Sequence, residues 1–192
     1  MKREGFQVEK HVFMQGWPVQ SRDAAERVIK KYGEPDETCH STLTWGRSGP
    51  WKRIVTHREL SKHNFPVPHV DLVECFIDFH VPPWKVSDLV RFDGSIVVYR
   101  TLGEISVRGL DEETNFLSLN LAYDIIAGKR SVDDARRYYA QEFLNCRRKA
   151  PTPFMRGLKF EPTRSDDPDE RILSDAEVMR ALDEGKRKSS AA

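Results

Sequence analysis

Five of the six histidines of this 192-residue chain fall between His40 and His80, in a stretch that also holds Asp71, Glu74 and Asp78. Imidazole and carboxylate groups are the usual ligands of borderline and hard divalent cations, and they also move protons near neutral pH. On a strand, residues two apart share a face about 7 Å from one another. Asp78 and His80 therefore point the same way within Val70–Val81, and Glu74 points with them. His63 and His69 bound a proline-stiffened run, His63-Asn64-Phe65-Pro66-Val67-Pro68-His69, that leads into this strand. Stiffness lowers the cost of ordering a ligand. The pattern predicts a Zn²⁺, Fe²⁺ or Mn²⁺ site with His63, His69 and His80 as ligands. Asp78 would be a fourth ligand or would pair with Glu74, one carboxylate acting as general base. The chemistry is metal-assisted proton transfer, hydrolysis or elimination on a small molecule. The spacing His63-x5-His69-x-Asp71 is looser than HExxH, and a strand histidine beside an aspartate is more often a hydrogen-bonded structural group.

Three other constellations carry chemistry-bearing side chains. Glu104, Ser106 and Arg108 share one strand face, with Arg100 nearby. Arg100, Arg108 and Glu104 could bind an anionic substrate, since guanidinium forks match carboxylate and phosphate; the alternative is an ion-pair ladder on a solvated face. A mostly apolar helix carries Asn115, Ser118, Asn120 and Asp124. Asn120 and Asp124 stand on one side of it, where they project into a pocket or hold a loop. Finally, Trp45, Trp51, Lys52 and Arg53 interleave aromatics with bases, as platforms for single-stranded nucleic acid do. With Trp17 and Trp84, the same residues could instead form a tryptophan-rich surface of a non-catalytic binding module.

The elements that would position these groups follow from periodicity. Phe6–Met14 reads as a first strand. Ala25, Val28, Ile29 and Tyr32 recur at helical spacing behind Ser21 as N-cap, and Gly33 ends that helix. Ser41–Trp45 and Trp51–His57 read as a hairpin, followed by the irregular prolines and the Val70–Val81 strand. A short helix covers Pro83–Arg91; Asp93-Gly94 turns into strands at Ser95–Thr101 and Glu104–Arg108. Asp111–Ala127 is a buried helix, and Ser131 caps another that carries Val132, Ala135, Tyr139 and Phe143, so the two make an αα-hairpin. Phe154–Phe160 reads as an edge strand. Strands then helices predict an α+β fold: a mainly antiparallel sheet over residues 6–110, covered by an N-terminal helix and a C-terminal αα-hairpin over residues 111–148.

Composition sets the remaining bounds. All nineteen aromatics lie at or before Phe160, which predicts one globular domain over residues 1–160. Residues 161–192 hold nine acids and six bases; they read as a charged, partly disordered tail with a short helix near 174–184. A net charge of +1 argues against nucleic acid and anionic membrane as partners. Three widely spaced cysteines and no apolar leader predict a cytoplasmic protein. No GxGxxG, Walker or GxSxG motif is present, so no nucleotide cofactor is expected.

Overall fold

The computed structural model describes residues 13–164 and 167–189. Most of the Phe6–Met14 strand predicted above lies outside them; Phe13 and Met14 themselves stand in a turn.

The chain runs α1 (Val19–Tyr32), β1 (Glu37–Thr38), β2 (Thr42–Trp45), β3 (Arg53–His63), β4 (His69–Asp78), α2 (Pro83–Phe92), β5 (Ile96–Tyr99), β6 (Glu104–Gly109), α3 (Glu112–Ile126), α4 (Val132–Arg147), a 3-10 turn (Pro153–Met155) and α5 (Asp175–Ser189). The six strands form one antiparallel sheet in the order β1-β2-β3-β4-β6-β5. This is the α+β architecture predicted. Alternation along the strands separates two faces. Ile54, Val73, Cys75, Ile77, Ile105 and Val107 are all buried on one of them, and α1, α2 and α3 pack there while α4 lies against α2 and α3. Glu74, Phe76 and Asp78 alternate onto the other face with Glu104, Ser106 and Arg108.

α3 is buried on nearly every side because it lies between sheet and α4; Leu117, Leu119 and Leu121 are at most 1% exposed. Burying each contributes about 1.5–3 kcal/mol. Its start is fixed by a capping box: Asp111 accepts from the Thr114 N–H, and Thr114 Oγ1 accepts from the Asp111 N–H. Ser131 caps α4 by accepting from the Asp134 N–H.

Several expectations are corrected. Ser21 does not cap α1, which begins two residues earlier behind Pro18; the Ser21 hydroxyl instead donates to the Arg58 carbonyl and ties the helix to β3. Phe154–Phe160 is not a strand. Asn120 Nδ2 donates to the carbonyls of Phe154 and Gly157, and its Oδ1 accepts from the Lys159 N–H. One buried amide thus satisfies the backbone that a sheet partner would have satisfied. Asp124 holds Arg130 at 2.9 Å at the end of α3. The tryptophans make no surface: Trp17, Trp45 and Trp51 are 4%, 1% and 1% exposed. Their indole N–H groups donate to His40 O, Gly33 O and Glu112 Oε1, a common solution for burying a large ring with one polar atom. Only Trp84 is exposed among the four, so neither a stacking platform nor a tryptophan-rich face exists.

Candidate metal centre

Strand register assembles a cluster at the far end of the β3–β4 hairpin. His63 pairs with His69, and Ser61 with Asp71. Residues directly opposite on an antiparallel pair point to the same face, and Asp71, two beyond His69, joins them. The imidazole centroids stand 5.0 Å apart. His63 Nδ1 is 3.1 Å from Asp71 Oδ2, and His69 Nε2 is 3.0 Å from Asp71 Oδ1. One ligand atom from each of these three residues lies within 4.8 Å of the others. Tetrahedral bonds of about 2.0–2.2 Å put donor atoms about 3.4 Å apart, so the three residues stand near the spacing of a set that could hold a cation.

The walls come from other elements. The turn between α2 and β5 delivers Asp93, whose Oδ1 is 3.7 Å from His63 Nε2. It also delivers Ser95, whose hydroxyl donates to Asp71 Oδ2 at 2.7 Å. Ser118 of α3 donates to Asp93 Oδ2 at 2.9 Å. The Asp71 and Asp93 side chains are each 3% exposed, against 18% for His63 and 14% for His69. The imidazoles therefore lie between two buried carboxylates and the solvent.

Two details fix the electrostatics. His69 Nδ1 lies 2.8 Å from the Val67 carbonyl. A carbonyl only accepts, so Nδ1 carries the proton and Nε2 is the free ligand nitrogen of the neutral ring. Yet Asp71 Oδ1, opposite that nitrogen, is buried and accepts no hydrogen bond. Asp71 is the largest influence on His69 and raises its pKa; burial opposes this and the Val67 carbonyl adds to it. Burial pushes the Asp93 carboxyl above the ordinary aspartate value, against the Ser95 N–H, the His63 charge and the Ser118 hydroxyl.

The other predicted site residues lie elsewhere. His80 is exposed, past the end of β4. Nine steps of about 3.3 Å separate the ends of that strand, roughly 30 Å, so His80 is not brought to His63 and His69. Glu74 and Asp78 occupy the opposite sheet face. Glu74 accepts from Ser106 at 2.7 Å and stands 3.2 Å from His57 Nε2. Asp78 takes Lys52 at 2.8 Å and Arg47 at 3.2 Å. Glu104 takes Lys52 and Arg53, both at 3.1 Å. Arg108 donates to the Glu59 carbonyl, and Arg100 pairs with Asp169 in the tail. Burial would raise both the Glu74 and Asp78 carboxyls. His57, Ser106 and Arg108 outweigh it at Glu74, and Lys52 and Arg47 at Asp78, holding both below their ordinary values.

Sequence spacing had placed Asp71 beside the histidines without making it a ligand. It had read Asp93 only as a turn, and Ser95 only as the start of a strand. The period-two rule that aligned Asp78 with His80 also aligns His69 with Asp71, and was the available signal. Ser118 is marked in the sequence only as a polar residue of an apolar helix, and its partner Asp93 reaches it through packing.

A cleft of about 410 Å³ opens between α1 and the start of α3, lined by Arg27, Lys31, Glu112, Phe116 and Met155 among others. None of the cluster residues lines it. Among the described residues no helix is long and apolar enough to cross a membrane. Comparison of the chain with protein-family models, with curated proteins and with solved structures finds no match.

Proposed function

We propose that this chain binds one divalent metal ion through His63, His69 and Asp71 and uses it in hydrolysis or elimination on a small molecule. The observation that carries the reading is the convergence of His63, His69 and Asp71, one ligand atom from each lying within 4.8 Å of the others. Imidazole and carboxylate groups that converge away from solvent favour a cation, either a proton or a metal. A carbonyl behind one imidazole and a serine behind the carboxylate are the outer contacts that orient metal ligands.

Two imidazoles and a carboxylate suit zinc, iron(II) or manganese(II). Three protein ligands leave a coordination position for water or substrate, and a metal there supplies an activated water and a Lewis acid. The chain's own contributions are separable. His69 is oriented by Val67 and Asp71 by Ser95, while Asp93 faces the far nitrogen of His63. Asp93, held toward its protonated form, is the nearest group able to give or take a proton. The three cysteines are free, which supports the cytoplasm as its compartment.

The test is metal content by mass spectrometry on tag-free protein purified without chelator, followed by a hydrolase and lyase substrate screen with and without the metal. About one equivalent per chain, absent in His69→Ala and Asp71→Ala variants that retain the wild-type circular dichroism spectrum, supports the reading. Equal metal in wild type and variants, or none in any of them, rejects it.

A further inference from the structure

The tail helix α5 has no buried residue. Val178 and Leu182 are 42% and 53% exposed. An isolated helix of this length is marginal in water and normally needs its apolar stripe covered. Its stripe is Val178, Ala181, Leu182 and Gly185, spaced i, i+3, i+4 and i+7. Reversed end for end about the midpoint between Ala181 and Leu182, this pattern maps onto itself, with each large residue falling on a small one. Gly185 is otherwise unexplained. A Cβ placed there meets nothing within 4 Å, and glycine inside a helix weakens it.

We infer that α5 is a self-association element that pairs antiparallel with α5 of a second copy of this chain about a twofold axis. Leu182 packs on the partner's Ala181, and Val178 fills the space over the partner's Gly185. Such a contact is isologous, so every interaction occurs twice. Charge supports the same direction. On one flank Asp175 comes beside the partner's Lys186, and on the other Glu177 comes beside the partner's Lys188; Arg180 and Asp183 face outward. A parallel pair would set Asp175 beside the partner's Glu177 and Lys186 beside the partner's Lys188, like charges in both. Within the chain, Asp175 pairs with Arg171, Glu177 serves the N-terminal cap of its own helix and Lys186 lies 3.8 Å from Asp183. These surface contacts do not compete strongly with pairing.

One helix pair buries little area, so a weak dimer is expected, with a dissociation constant of about 1–100 μM. Sedimentation equilibrium on the full chain tests this. The wild-type mass should double as concentration rises through that range. Lys186→Glu with Lys188→Glu should remain monomeric, as should Asp175→Lys with Glu177→Lys. An equal mixture of the two variants should recover the dimer. Gly185→Leu separates pairing from a role within one chain: it should raise tail helicity, because leucine is the better helix former, yet abolish the dimer. A wild-type chain that stays monomeric up to about 500 μM, or a dimer that survives both Gly185→Leu and the charge reversals, overturns the proposal.

Discussion

The two faces of the sheet carry the same kinds of residue in opposite states. On the open face Glu74, Asp78 and Glu104 meet His57, Ser106, Lys52, Arg47 and Arg53, and each carboxylate has at least two partners. On the covered face, among the described residues, Asp71 and Asp93 meet two imidazoles and two serines and no lysine or arginine, while each face keeps one buried carboxylate oxygen that accepts no hydrogen bond, Asp71 Oδ1 and Glu104 Oε2. The first arrangement is an ion-pair ladder whose charges are already compensated. The second sets buried carboxylates against imidazoles and hydroxyls in place of lysine and arginine, and buried charge is costly unless compensated. Histidine density alone does not distinguish them, because His57 belongs to the ladder and His63 and His69 to the cluster. The charge of the partners does.

The sharpest way to break this contrast is to delete a ligand. His69→Ala should remove stoichiometric metal binding and leave the fold intact, whereas His57→Ala should leave metal binding unchanged; isothermal titration with zinc reads both. Next in size is Glu104→Gln on the ladder. The Glu104 side chain is 5% exposed while Lys52 and Arg53 are 25% and 35% exposed. The stranded cations regain some water, and the loss should be about 1–3 kcal/mol in urea denaturation with metal binding unaffected. Ser95→Ala is a smaller perturbation of the cluster, since it frees Asp71 Oδ2 from its hydroxyl donor. Zinc should bind about tenfold more weakly, with stability in chelator lowered by about 1–2 kcal/mol.

The smallest effect is a pH dependence confined to the ladder. Glu74 is held below the ordinary glutamate value of 4.5. A carboxyl lowered in the folded state stabilises it at pH above the unfolded value and loses that contribution as pH falls through the lowered one. The wild-type urea midpoint should therefore fall more steeply below about pH 4.5 than that of Glu74→Gln. The two curves should run parallel above about pH 6.

The strands, helices and layer order were legible because they rest on local signals: alternation in β4, the apolar surround of α3, Ser131 and Asp111 as caps. Failures came where a side chain worked at long range. Ser21 resembles a cap but is spent on β3, and Asn120 replaces a sheet partner for Phe154 and Lys159. The helix α5 runs on to Ser189, beyond the point at which its pattern fades near Glu184. Gly185 adds no side chain to the apolar stripe, yet the helix runs through it. At the cluster, proximity of His63 and His69 was readable from the prolines between them. Asp93 and Ser118 were not, because α2, β5 and α3 meet there only once the core has formed. Trp45 and Trp51 misled for the opposite reason: basic neighbours in sequence stayed outside while the rings turned into the core.

The central claim is that the covered-face cluster takes a cation and the open-face ladder does not. Imidazole nitrogen resonances followed by NMR through a zinc titration test it directly. The account predicts that His63 and His69 shift together and saturate at about one equivalent, with His69 ligated through Nε2, while His57 and His80 stay in place. Shifts at His57 or His80 at the same zinc concentration, or a silent His63 and His69, would contradict it.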